Sequence, residues 1–264
     1  MLKFKLKRKN VWRNVALATS VILMLSLWII GINRTSSTFL NEIKVNIDKK
    51  EGFKDLVKTK DIITIIDKDL PNDIRMQPLH TVDIAGLETY LERDTRIHEV
   101  EVFVDAHNNL NIEIKQRRPI LRVMSDNGGQ YYLDQQGRYI AQMNHRAVRV
   151  PVVTGYIEKL ESNQKINKKM RLYDAYRLVN EINKNDFLSA LIEQVSFKKG
   201  GRIIMIPKVG DEKIILDHMD DLATKLENLT EFYKEIARTN SWGKYEEIDI
   251  SYRKQVVGRN PVTP

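Results

Sequence analysis

The side chains best suited by type to bind a metal or carry a proton are five histidines, at positions 80, 98, 107, 145 and 218. Their spacing matches no metal-ligand pattern, and only His218 has carboxylates within helical reach, Asp220 and Asp221, which read as a solvated helix start. Asp67, Asp69 and Asp73 suggest a calcium loop, but Pro71 lies among them and the turn glycine and closing glutamate of such a loop are missing. The pairs Gly128-Gly129 and Gly200-Gly201 lack the spacing that cradles a phosphate and read as hairpin turns. No Gly-x-Ser-x-Gly elbow stands between a strand and a helix. With no cysteine in the chain, disulfides, thiolate zinc sites, a cysteine nucleophile and lipoprotein acylation are all excluded. No catalytic constellation, metal site or cofactor is expected, so function must reside in surfaces.

The net charge of +8 is carried by one end of the chain. Residues 1–34 hold seven basic residues and no acid, leaving 36 basic against 35 acidic residues in the remainder. A nearly neutral body has no basic surplus with which to neutralise phosphates, which argues against nucleic acid as a partner.

From Asn14 to Asn33 no residue is charged. Twenty residues at about 1.5 Å each reach about 30 Å, the thickness of a bilayer's hydrocarbon core. Trp12 and Trp28 fall near the two ends, where indoles sit at headgroup level, and Arg13 and Arg34 flank the run. A single membrane span over 14–33 is therefore expected. Six of the first thirteen residues are basic against only Arg34 beyond, which places the N-terminus in the cytoplasm. A cleaved signal peptide shares the basic start, but the apolar run here is longer and leaves through Asn33, Arg34 and Thr35 with no Ala-x-Ala pattern.

The exported part opens with a strand over Thr38–Ile47 and a helix over Lys60–Leu70 stopped by Pro71. Asp83 caps a second helix striped by Ile84, Leu87, Tyr90 and Leu91. Two strands, Ile97–Asp105 and Asn109–Lys115, supply the sheet those helices need, with Ile43, Val45, Ile62, Ile65, Leu87, Leu91, Val102 and Ile112 as its core. Arg118-Pro119 breaks the pattern. Beyond it come short strands at Ile120–Met124, Tyr131–Leu133 and Tyr139–Ala141, with a turn at Asp134–Gly137. A helix through Met170 to Ile182 follows, then strands at Leu191–Phe197, Arg202–Pro207 and Lys213–Asp217. In the last helix Leu222, Leu226, Leu229, Tyr233 and Ile236 form one stripe, which suits packing on a sheet better than a coiled-coil seam. Tyr245–Tyr252 alternates, so Ile248, Ile250 and Tyr252 should be buried and Glu247 and Asp249 wet.

In order and spacing these segments resemble the FtsQ/DivIB family of bacterial division proteins. The likeness rests on Leu87 to Ile120 (LETYLERDTRIHEVEVFVDAHNNLNIEIKQRRPI), on Tyr132 to Gly137, on Arg149 to Gly155 and on Tyr245 to Tyr252. Ser251 departs from it, standing where the family often has arginine. The resemblance implies an α+β chain: a basic cytoplasmic tail over 1–13, a transmembrane helix over 14–33, a POTRA domain (strand-helix-helix-strand-strand) over 37–117, a β-rich domain with flanking helices over 118–258, and a tail over 259–264. It further implies a non-catalytic divisome scaffold in the cytoplasmic (inner) membrane, its body periplasmic or otherwise extracytoplasmic. Its partners would be FtsL-like and FtsB/DivIC-like single-span proteins and, through them, septal peptidoglycan synthases, with membrane lipid around the anchor. POTRA units also occur in secretion and envelope-assembly proteins, which is the alternative.

By the same resemblance the FtsB/DivIC-like partner is expected at the C-terminal strand, on Tyr252, Arg253, Lys254, Gln255, Val256 and Val257. An open sheet edge there could accept another chain's strand, and the alternative is a passive edge guarded by basic residues and Pro261. The charge asymmetry yields a test of orientation. A reporter fused after residue 40 that matures only outside the cytoplasm should be active, and protease added to spheroplasts should digest the body and spare the tail. A protected body would reverse the orientation.

Overall fold

A computed structural model describes residues 14–28, 38–49, 55–69, 74–126, 129–142, 148–162 and 164–260. Residues 14–28 form a helix, α1, whose side chains are all exposed. Its three hydroxyls turn inward on the backbone: Thr19, Ser20 and Ser26 donate to the carbonyls of Ala16, Leu17 and Leu23 at 2.9, 2.9 and 2.8 Å. Among the described residues no helix is long and apolar enough to cross a membrane. Residues 29–33 of the expected span, the tail over 1–13 with Trp12 and Arg13, and Arg34 lie outside the described residues, as do Pro71, Asp73, His145 and 261–264.

The chain divides into two compact units. The first runs β1 (Ile43–Ile47), α2 (Thr59–Asp69), α3 (Ile84–Leu91), β2 (Ile97–Val104) and β3 (Leu110–Gln116). The sheet order is β1-β3-β2, with β1 parallel to β3 and Val45 opposite Ile112. Parallel pairing needs a long crossover, which the two helices provide. Ile62, Ile66, Leu87, Leu91, Val102, Ile112 and Ile114 are buried. Ile43, Val45 and Ile65, expected beside them, are half-buried. Asp83 caps α3 as expected, accepting the Gly86 N–H at 2.9 Å. The hairpin joining β2 to β3 turns on Asn108 at φ 62°, and Asp105 accepts from the Asn109 side chain at 2.9 Å and from the His107 and Asn109 N–H groups at 2.8 and 3.0 Å. Those bonds, led by the Asn109 side chain, hold the Asp105 carboxyl far below the usual carboxylate range.

In the second unit the elements are β4 (Pro119–Ser125), β5 (Gln130–Asp134), β6 (Tyr139–Ala141), β7 (Val152–Gly155), α4 (Arg171–Ile182), α5 (Asp186–Leu191), β8 (Ile192–Phe197), β9 (Ile203–Pro207), β10 (Lys213–Leu216), α6 (Leu222–Thr239), β11 (Glu247–Asp249) and β12 (Val257–Arg259). One nine-stranded sheet runs β12-β11-β10-β9-β8-β7-β4-β5-β6. Alternate residues, among them Val123, Leu133, Val153, Val195, Met205, Ile214 and Ile248, turn to one face and join Leu172, Leu178, Leu188, Leu226 and Leu229 of the three helices in a single core. α6 thus packs on the sheet, as its stripe required. The short α5 was not anticipated, because six residues carry too little periodicity. Asn185 starts it, accepting the N–H groups of Phe187 and Leu188 at 3.0 and 3.2 Å.

Two buried or half-buried carboxylates fix loops in this unit. Asp134, 1% exposed, accepts the Gln136 and Arg138 N–H groups at 2.9 and 2.8 Å and pairs with Arg117 at 2.8 Å. Its hairpin then closes through Gly137 at φ +70°, where a Cβ would meet Ile166 at 2.6 Å. Glu158 does for α4 what the N-cap residue Met170 cannot, accepting the Leu172 N–H at 3.0 Å. Partial burial acts to raise the Glu158 pKa, but the backbone bonds, those of Arg171 and Leu172 included, outweigh it and hold the carboxyl below its usual range.

Leu91→Ala should cost about 2 to 5 kcal/mol by the loss of buried methyl groups and the cavity left behind, read as a lower melting temperature of the full chain. Met76→Ala, at a side chain 79% exposed, should change nothing. Because the folded pKa of Glu158 is depressed, its contribution is present above its unfolded value of about 4.5 and is lost as pH falls through the folded one. The stability gap between the native chain and Glu158→Gln should accordingly shrink on acidification below that point, and a gap that widened would contradict the capping role.

Candidate partner-binding edge at the C-terminus

β10, α6 and β11 form a crossover unit in which β10 and β11 lie parallel, Ile214 opposite Ile248. β12 then pairs antiparallel with β11, setting Glu247, Ile248 and Asp249 against Arg259, Gly258 and Val257. On the core side, Ile248 and Ile250 are buried. The Tyr245 ring lies over Gly258 so closely that a Cβ there would meet it at 2.5 Å. Tyr245 in turn packs on Phe232, with ring centroids 5.5 Å apart. A side chain at 258 would lift β12 off the sheet, which is why glycine stands in this strand.

The other side is held by charge. Arg259 reaches Glu247 at 3.0 Å and Asp249 at 3.3 Å. Asp249 also accepts the Ser251 N–H at 2.9 Å, and the Ser251 hydroxyl accepts the Asp217 N–H at 3.0 Å. Ser251 is thus a fastening between β11 and the end of β10. Arg202 pairs with Asp217 at 2.9 Å, and that bond raises the guanidinium pKa further.

The expected alternation over Tyr245–Tyr252 needs correction at both ends. Asp249 is 4% exposed because its partners are bonded around it, and Tyr252 is 52% exposed. The strand stops at Asp249, and the chain turns through Tyr252, Arg253 and Lys254, so the side-chain parity is lost. Arg253 pairs with Asp221 at 3.3 Å, and its carbonyl accepts from Asn228 of α6 at 3.0 Å, which ties the turn to the helix. Gln255 is exposed, Val256 is half-buried against the core, and of the six expected contact residues only Val257 lies within β12. The packing of Tyr245 over Gly258 and the pairing of Arg259 with Glu247 and Asp249 were not anticipated. The lone glycine in a strand-like run was the signal that could have pointed to them.

The two ends of the sheet differ. Beyond β6, Arg138 bridges to Lys165, the Tyr139 N–H donates to the Gln164 carbonyl at 3.2 Å, and the Ala141 N–H donates to the Thr95 hydroxyl at 3.0 Å. That edge is covered. Among the described residues β12 has one sheet neighbour, β11. The Arg259 carbonyl accepts the Glu246 N–H at 2.9 Å, so by alternation the N–H and C=O of Gly258 point away from β11.

Among the described residues no group of His, Cys, Asp and Glu could hold a metal ion. The carboxylates near His218 serve elsewhere, Asp220 pairing with Lys225 at 3.2 Å and Asp221 with Arg253. An open groove of about 560 Å³ beside α4 and the start of α6 is lined by Tyr176, Arg177, Asn180, Glu181 and Met219–Thr224, with neither a histidine nor a paired nucleophile and base.

Gly258→Val should dislodge Tyr245 and release β12, seen as fast hydrogen exchange confined to residues 245–259, whereas protection of β8 and β9 should persist. Unaltered exchange would mean the ring does not hold the edge. No curated protein matches this chain. A family model described as FtsQ/DivIB, C-terminal related, matches residues 118–259, the stretch that forms the nine-stranded sheet and its helices. The chain belongs to the FtsQ/DivIB C-terminal related family, a membership that suggests a role in cell division.

Proposed function

We propose that this protein is a non-catalytic, membrane-anchored scaffold of the bacterial division machinery that captures a partner strand at the free edge of β12. The family membership over residues 118–259 supports the division role, and the observation that carries the mechanism is a sheet covered at β6 and ending at β12. The outward N–H and C=O of Gly258 would pair with an extended segment that continues past Val256, the geometry of β-augmentation. Arg253, Lys254 and the alkyl surface of Val257 would favour a segment with acidic and apolar residues. An FtsB/DivIC-like protein is the expected occupant, with an FtsL-like protein bound to it and septal peptidoglycan synthases controlled through the assembly.

In this reading α1 is part of a single span over residues 14–33, with the basic tail in the cytoplasm and both units outside. Hydroxyls satisfied within the helix leave an apolar surface suited to lipid. The first unit, with its strand-helix-helix-strand-strand order, is the POTRA domain of this reading.

Val256→Pro removes the backbone donor next to β12 and none within it, so it should abolish partner capture in living cells, read by cross-linking, while the chain stays folded. Lys254→Glu should weaken capture, and the loss should diminish at high salt. Full capture by a chain truncated after Tyr252 would sink this mechanism. Depletion should give filaments with unfinished septa; loss of an exported substrate instead would point to secretion.

A further inference from the structure

β2 stands at one end of the three-stranded sheet, with β3 as its sheet neighbour. The Asp105 N–H donates across the hairpin to the Asn109 carbonyl at 3.0 Å. Successive strand residues turn their backbone groups to opposite sides, so those of Val100, Val102 and Val104 point away from β3. The Val102 N–H is already occupied. Glu88 of α3 accepts it through Oε1 at 2.7 Å. A carboxylate oxygen therefore sits where the carbonyl of a further strand would sit. Leu87 and Leu91 seat α3 in the core, so Glu88 reaches the edge from a fixed base and can leave it by side-chain rotation alone.

The charge beside this edge selects what could replace Glu88. Glu99 and Glu101 of β2, Glu113 of β3 and Asp48 line a hollow of about 200 Å³ on the solvent face, whose basic lining residue is Lys115. Lys115 is bound to Glu99 at 2.8 Å, a bond that raises its pKa and holds it in the charged form. Phe103 lies on the same face and is 41% exposed. Two copies of β2 paired antiparallel would crowd their glutamates together, which disfavours self-association.

We propose that β2 is a gated docking edge for an extended segment of another protein with lysine or arginine at alternate positions, and that Glu88 is the gate. The segment's carbonyl takes the Val102 N–H as Glu88 turns away, its cations meet Glu99 and Glu101, and its apolar residues meet Phe103. This surface is separate from β12 and does not depend on that reading.

The test uses the full chain in detergent and a labelled eight-residue peptide alternating lysine and valine, with a glutamate–valine peptide of equal length as control, read by fluorescence anisotropy. The lysine peptide should bind and the glutamate peptide should not. Glu88→Ala should tighten binding about tenfold by removing a charge-assisted competitor for the N–H. Glu88→Gln, which keeps the shape of the acceptor, should fall between and serves if the alanine variant is unstable. Val102→Pro should abolish binding, and Glu101→Lys should weaken it at low salt. Equal binding of both peptides, or folded Glu88 variants with native affinity, would overturn the proposal. So would a Glu88→Ala chain that dimerises in sedimentation without peptide, since the edge would then prefer a second copy.

Discussion

The constraint on which the larger unit depends is that one face of its nine-stranded sheet joins three helices in a single core. α4, α5 and α6 all feed one core, so each strand must present apolar residues in a single parity to it. Val153, Val195, Met205, Ile214 and Ile248 satisfy that demand strand after strand. The opposite face is built of mixed side chains that stabilise one another laterally, such as Gln194, which donates to Thr154 at 3.1 Å, and the Arg259 pairs with Glu247 and Asp249. A one-residue slip of any strand would exchange the two sets.

Several buried polar groups reinforce that arrangement through partners that the native fold supplies. Asp134 gathers Arg117 and two backbone N–H groups. Lys225, 1% exposed, is satisfied by the His218 carbonyl at 3.0 Å and by Asp220. Tyr233 donates to the buried Glu212 at 2.7 Å, and burial followed by that carboxylate pushes the phenol pKa well above its ordinary value. Removing one member of such a pair strands the other away from water, which costs more than the pair itself contributes.

Three sheet edges, β6, β2 and β12, manage exposed strand backbone in different ways. β6 is covered by the chain itself, through Lys165, Gln164 and Thr95. β2 is held by a side chain, Glu88, and a side chain can move without disturbing the core. β12 is secured to β11 by a ring on one face and a cation on the other, while the N–H and C=O of Gly258 remain turned outward. A protein that works through surfaces must keep some backbone available, and how firmly each edge is covered decides where pairing can occur.

The sequence by itself determined most of the elements, because hydrophobic period, caps and turn residues act over a few residues. Asp83 before the Leu87 and Leu91 stripe, Gly137 after Asp134, and the stripe of Leu222 to Ile236 each specified their local structure, and the composite order carried the family. The C-terminal site was legible only as a region. Periodicity through Ile250 could not reveal that the strand stops at Asp249, because Ser251, Arg253 and Asp249 are held by Asp217, Asn228 and Arg259, residues distant in sequence or across the hairpin. The burial of Asp249, the glycine forced by Tyr245 and the carboxylate seated on Val102 are likewise products of the tertiary structure, since each depends on two segments meeting at hydrogen-bond or van der Waals distance, which no local pattern encodes.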